Sequence, residues 1–149
     1  MHVSVRHAAG ALLAAGVLLC GARPGTPAAA LEAKEKTAME RTLSLPPGPG
    51  NPRNSEGAFV RLKDGRVLFI YTHFTGGGAD HSAAHLAGRI STDGGRSWTA
   101  EDTLVLSNEG AMNVMSVSLL RLASGPIALF YLRKNSNTDC RPYLRLSTD

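Results

Sequence analysis

An all-β chain built from repeated antiparallel units is the fold class that this sequence predicts, on three observations. The stretch Ser91-Thr92-Asp93-Gly94-Gly95-Arg96-Ser97-Trp98 has the make-up of a tight turn between strands. Val60 to Tyr71 aligns without gaps on Leu120 to Tyr131, an offset of 60 residues (121 − 61). Arg89-Ile90-Ser91-Thr92-Asp93 returns almost unchanged as Arg145-Leu146-Ser147-Thr148-Asp149, an offset of 56 (147 − 91). Two segments recurring at nearly the same period belong to one supersecondary module, present twice.

Residues 1–30 read as a signal peptide. His2, Arg6 and His7 are basic, Ala8 to Cys20 is a run of small and aliphatic residues too short to span a bilayer, and Ala28-Ala29-Ala30 offers a cleavage site, with Cys20-Gly21-Ala22 an earlier one. The chain is thus expected to be secreted or periplasmic, with no transmembrane span. The alternative here is a lipid anchor at Cys20, against which the bulk of Leu19 stands. Without residues 1–30, 14 basic residues face 12 acidic ones, a formal charge of +2 in place of +4. No polybasic stripe or aromatic platform is present, which argues against nucleic acid as a partner. Cys140 would then be the single cysteine, so stability must come from packing.

Residues 31–50 read as an N-terminal extension or linker. Leu31 to Met39 carries alternating charges and could form a helical turn or an added strand; Pro46-Pro47-Gly48-Pro49-Gly50-Asn51-Pro52 is too rich in turn formers for regular structure. From there each module runs strand, turn at Asp64-Gly65 or Ser124-Gly125, apolar strand, loop, strand, turn, strand. Val67 to Tyr71 and Ile127 to Tyr131 are near-continuous apolar runs, as in strands covered on both faces, with Tyr71 and Tyr131 as packing residues. In the turn at 91–98, Asp93 can accept bonds from backbone N–H groups, Gly94 and Gly95 can take positive φ, Ser91 can bond across the loop, and Trp98 on the outgoing strand can cover it.

That octapeptide fits Ser-x-Asp-x-Gly-x-x-Trp, the Asp box. From about Asn51 to its end the chain resembles the sialidase (neuraminidase) superfamily, six-bladed β-propellers with Asp-box, or BNR, repeats. The resemblance implies an all-β, partial six-bladed propeller of about two four-stranded blades over residues 51–149. The box would sit at the blade periphery, outside catalysis. Since such a ring needs several hundred residues, the chain is expected to be the N-terminal part of a larger protein and inactive alone.

The resemblance also assigns chemistry. An arginine at the start of the first inner strand belongs to a triad that grips the substrate carboxylate, a task that suits a planar guanidinium. Arg53 holds that place, although Asn54-Ser55 stands where the family has Ile-Pro. An aspartate in the loop after the second strand serves as acid/base, and Asp80, in Gly76-Gly77-Gly78-Ala79-Asp80-His81, matches it. That role needs a carboxyl pKa raised by burial or by substrate. The family's arginine just before this loop is missing: Tyr71-Thr72-His73-Phe74 stands there, with His73 as a substitute donor and Arg133 at the equivalent position of the next module. Asn113, with Met115 and Ser116, corresponds to Arg53 and its neighbours. A metal at His73, His81 and His85 is disfavoured, because the four-residue spacing suits a helix and this segment reads as loop and strand. No cofactor is implied.

The expected function is an exo-α-sialidase-like glycoside hydrolase acting on terminal acidic sugars of glycoconjugates, with Asp80 catalytic and Arg53, His73, Asn113 and Arg133 binding substrate. The nucleophilic tyrosine and its glutamate partner belong to later blades. Two alternatives remain: a non-catalytic Asp-box propeller binding glycan or protein, and a propeller hydrolase or lyase for another sugar.

Overall fold

The computed structural model describes residues 39–148. Residues 1–30, expected to be a signal peptide and including Cys20, and residues 31–38 lie outside the described residues. The protein is all-β, with seven strands in chain order: β1 (Arg53–Arg61), β2 (Val67–Phe74), β3 (Ala84–Ser91), β4 (Thr103–Leu106), β5 (Asn113–Arg121), β6 (Ile127–Lys134) and β7 (Cys140–Ser147). They form two antiparallel sheets, β1-β2-β3-β4 and β5-β6-β7. No helix among the described residues is long and apolar enough to cross a membrane.

The repeat in the sequence is a repeat in the backbone. β1 and β5 begin and end 60 residues apart, as do β2 and β6, while β3 and β7 are offset by 56. The first hairpin turns on bonds from Leu62 N to Arg66 O and Gly65 N to Leu62 O; the second turns on Leu122 N to Pro126 O and Gly125 N to Leu122 O. Gly65 and Gly125 take φ of 88° and 108°, a region costly for a residue with a Cβ. Each first strand also carries a β-bulge near its start. The register slips between Ser55 and Gly57 in β1 and between Met115 and Ser118 in β5. Glu56 and Ser116, again 60 apart, have φ of 21° and 60°.

The sheets pack through a core of Ile70, Leu86 and Leu106 from the first and Val114, Val117 and Tyr131 from the second. A smaller cluster joins Phe74 and Ala84 to Met115, with Leu132 packed against it. The seam is also bonded: Ser116 N donates to the buried Thr72 Oγ1 at 3.1 Å, and Arg121 Nη2 donates to Arg61 O at 2.7 Å.

The architecture is two stacked antiparallel sheets, of four and three strands among the described residues, and neither closes on itself. Two expectations need correction. β6 is not covered on both faces: its Phe130 is 41% exposed, whereas the equivalent Ile70 in β2 is 3% exposed because the second sheet covers it. Trp98 is not on the outgoing strand, which starts only at Thr103. Its ring packs back on Phe59 and Phe69, at centroid distances of 5.7 and 6.1 Å, because two aromatic residues are already stacked there at 4.5 Å.

The turn before Trp98 is held by its own side chains. Ser91 Oγ donates to Asp93 Oδ1 and accepts from Gly95 N, both at 2.8 Å; Ser97 N and Oγ donate to the Asp93 carboxylate at 2.8 and 2.6 Å. Gly94 and Gly95 have φ of 75° and 95°. The bonds from Ser97, with that from Ser91, hold the Asp93 carboxyl far below the usual carboxylate range. Ser91 pairs with Val67, and at the opposite end of the same strands Arg53 pairs with Phe74 and Phe74 with Ala84. The turn and the residues around Arg53 therefore occupy opposite ends of the first sheet.

Candidate functional site

Arg53 and Asp80 meet at the end of the first sheet away from the turn. Arg53 opens β1 directly opposite Phe74, so successive alternation of strand side chains puts both on one face. The guanidinium lies over the Phe74 ring with its carbon 4.5 Å from the centroid, a cation–π arrangement that aims its nitrogens at the loop beyond β2. That loop is drawn tight by bonds from Thr75 N and Gly76 N to Ala83 O, at 2.8 and 3.1 Å. At Gly76 a Cβ would stand 2.9 Å from Ala83 N, so the backbone can close only on a glycine. The loop brings Asp80 Oδ1 to 2.5 Å from Arg53 Nη1, which also donates to Gly78 O at 3.2 Å.

A second carboxylate attends the same arginine. Arg53 Nη2 donates to Ser55 Oγ at 3.4 Å and lies 3.9 Å from Glu56 Oε1, and Ser55 Oγ donates to the Glu56 carboxylate. Glu56 is the bulge residue of β1, and the bulge is what turns its side chain toward Arg53. Nothing in the local sequence announces it, since a glutamate at positive φ is uncommon.

Asn113 ties this end of the first sheet to the second. Its side chain is fully buried; Nδ2 donates to Asp80 O and Ser82 O at 2.9 and 2.8 Å, while Oδ1 has no hydrogen-bond partner. Asn113 therefore fixes the Asp80 loop by its backbone. Met115 is buried beside Phe74, and Ser116 sits in the bulge of β5. Lys134, absent from the sequence-based expectations, pairs with Asn113 across β5 and β6 and so shares its face.

The electrostatics follow from this layout. Hydrogen bonding from Arg53, then its charge, holds the Asp80 carboxyl below the usual carboxylate range, with smaller contributions in the same direction from Lys134 and His81. Asp80 is thus ionised at neutral pH in the unliganded site.

His73 and Arg133 do not join Arg53 and Asp80. His73 pairs with Asn54, the residue after Arg53, and so projects from the other face of the sheet. There Asn51 Nδ2 reaches its Nδ1 at 2.7 Å, Asp102 Oδ2 lies 3.3 Å from Nδ1, and the His85 ring stacks on it at 4.6 Å. Burial, then the neighbouring His73, lowers the His85 pKa. Arg133 follows the same alternation relative to Lys134; its guanidinium stacks on Tyr143 at 4.2 Å. His81 is exposed on the Asp80 loop, and among the described residues no group of three or more metal-ligating side chains comes together.

On the His73 face lies a polar cluster with no cue in the local sequence. Tyr71 Oη donates to Asp102 Oδ2 at 2.7 Å and Arg89 Nε to Oδ1 at 2.6 Å. Burial, then the bonded carboxylate, drives the Tyr71 phenol well above its ordinary pKa. The second sheet repeats the pattern: Tyr131 Oη donates to Glu109 Oε2 at 2.8 Å, and Arg145 binds the other oxygen of Glu109. Tyr131 and Arg145 stand at the repeat offsets from Tyr71 and Arg89. These clusters anchor the tyrosines within the packing, and no open catalytic role follows from them.

No protein-family model matches the chain, and no curated protein matches it at a significant level.

Proposed function

We propose that residues 51–149 form two blades of a sialidase-like propeller and supply the acid/base half of a site for a terminal acidic sugar. The observation that supports this reading best is the Arg53–Asp80 pair. Two residues 27 apart, each named by the resemblance for a different role, are held at 2.5 Å on one rim with their loop pinned by Asn113.

The geometry sets a condition on the chemistry. An Asp80 carboxylate paired with Arg53 is ionised and cannot protonate a leaving glycosidic oxygen at neutral pH. A substrate carboxylate that turns Arg53 toward itself removes the group that lowers the Asp80 pKa, so binding would itself prepare the acid. The nucleophile assigned by the resemblance lies outside these blades, so turnover needs the rest of the ring. The uncovered apolar face of the second sheet, with Phe130, Leu144 and Leu146 exposed, supports stacking of a further sheet, as Ile70 of the first sheet is covered by the second.

The depressed Asp80 pKa favours one alternative, a non-catalytic propeller that binds a glycan. Titration of the 149-residue chain with N-acetylneuraminic acid and with its methyl ester, followed by amide NMR, tests the acidic-sugar reading. Saturable shifts around Arg53 and Asp80 with the acid, and binding at least tenfold weaker with the ester, are expected. Equal response to both, or none to the acid, would overturn it.

A further inference from the structure

We propose that Lys134, on the second sheet, is the cation that first receives the carboxylate of the sugar, while Arg53 serves in the unliganded site to hold Asp80. This rests on the acidic-sugar reading above and deepens it.

Arg53 is fully engaged. Its Nη1 is committed to Asp80 and Gly78 O, its Nη2 faces Ser55 and Glu56, and its plane is stacked on Phe74. Two carboxylates around one guanidinium leave the group with no surplus positive charge, so an incoming anion meets repulsion before it can exchange places with Asp80. Lys134 is placed differently. It lies opposite Asn113, the residue whose amide pins the Asp80 loop, and among the described residues its ammonium makes no ion pair or side-chain hydrogen bond. Its charge nonetheless reaches the Asp80 carboxylate.

The repeat makes the arrangement legible. At the equivalent pair of positions the first sheet has Arg53 opposite Phe74, and the second has Asn113 opposite Lys134. The cation has moved from the first strand of one sheet to the second strand of the next, and a neutral group takes the other place in each. In the first sheet the neutral partner is a ring that clamps the cation; in the second it is an amide whose NH2 is turned to the loop and whose oxygen makes no bond to the lysine, which leaves the cation free. An ammonium accepts a carboxylate as a point charge with rotatable donors and needs no fixed approach plane, so Lys134 binds the anion without giving up a partner, whereas Arg53 must release Asp80 to do so and gains less net affinity.

Isothermal titration of the 149-residue chain with N-acetylneuraminic acid, comparing wild type, Lys134→Met and Arg53→Gln, tests this. Amide spectra serve as the check that each variant folds, and Lys134→Arg serves as the conservative rescue. The expected result is a loss of at least tenfold in affinity for Lys134→Met, recovery to within about threefold for Lys134→Arg, and a smaller loss for Arg53→Gln than for Lys134→Met. Wild-type affinity retained by Lys134→Met, or a larger loss in Arg53→Gln, overturns the assignment of Lys134 while leaving the acidic-sugar reading standing. Absence of binding by the wild type overturns both. If Lys134→Met does not fold, Lys134→Gln takes its place with the same two outcomes.

Discussion

The two sheets share one backbone plan and differ in what each does with it. Both have a positive-φ bulge residue at the fourth position of the first strand, both turn on the same pair of backbone bonds, and both set a tyrosine against a carboxylate and an arginine. At the rim they diverge. The first sheet presents a neutralised arginine and two acids; the second presents a buried amide and a free lysine. The acid that binds each tyrosine also comes from a different place, Asp102 just before β4 in one case and Glu109 in the loop before β5 in the other. What repeats is therefore what backbone geometry demands, and what varies is where chemistry can be placed without disturbing the fold.

Substitutions at equivalent positions can break that comparison. The largest contrast is expected at Ile70 and Phe130. Ile70→Ala removes a side chain buried between the sheets and should cost about 3 kcal/mol, whereas Phe130→Ala, on the uncovered face, should cost less than about 1 kcal/mol. Urea denaturation of both variants checks this, and equal losses would mean that the second sheet is covered in solution as the first is.

The next contrast is at Gly110 and Gly50. A Cβ on Gly110 would come within 2.5 Å of both Asn113 O and Lys134 O, while one on Gly50 would meet nothing and suffer only from its φ of 76°. Gly110→Ala is expected to destabilise by about 3 kcal/mol and Gly50→Ala by about 1 kcal/mol, because backbone oxygens cannot move aside as side chains can. Thermal melts measure the difference.

The smallest effect sharpens the assignment of charge at the rim. Because Asp80 has a folded-state pKa below its unfolded value, its link to Arg53 contributes stability above the ordinary carboxylate range and loses it as pH falls through the folded value. In carboxyl NMR titrations the Asp80 midpoint should move up most in Arg53→Gln and only slightly in Lys134→Met. A larger shift in Lys134→Met would reverse the division of labour between the two cations.

Much of the fold was legible in the residues. The 60- and 56-residue offsets located six of the seven strands, because strand length and turn position repeat with the sequence. The turn at 91–98 could be read bond by bond, since Ser, Asp and Gly act on their own neighbours. The strand start at Arg53 was less visible: it lies earlier than the apolar pattern suggests, in a polar stretch that pairs because β2 offers a partner as far as Phe74. The site was half legible. Arg53 and Asp80 are marked by resemblance and by a glycine-rich loop. Glu56 and Lys134 are brought in by a bulge and by cross-strand register, which are properties of pairing that no local window of sequence contains. His73 was misplaced relative to Arg53 by strand parity: an even number of residues was needed to share a face, and the Cα pairing of His73 with Asn54 gives the opposite side.

One feature of β7 has a practical consequence. Cys140 is a free, exposed cysteine whose Cα pairs with that of Lys134, so its thiol stands on the same face, one strand further from the Asp80 loop. It offers a natural attachment point for a fluorophore or spin label beside the rim. A reporter there would register binding at the rim from the second sheet's side, without altering any residue that Arg53 or Asp80 touches.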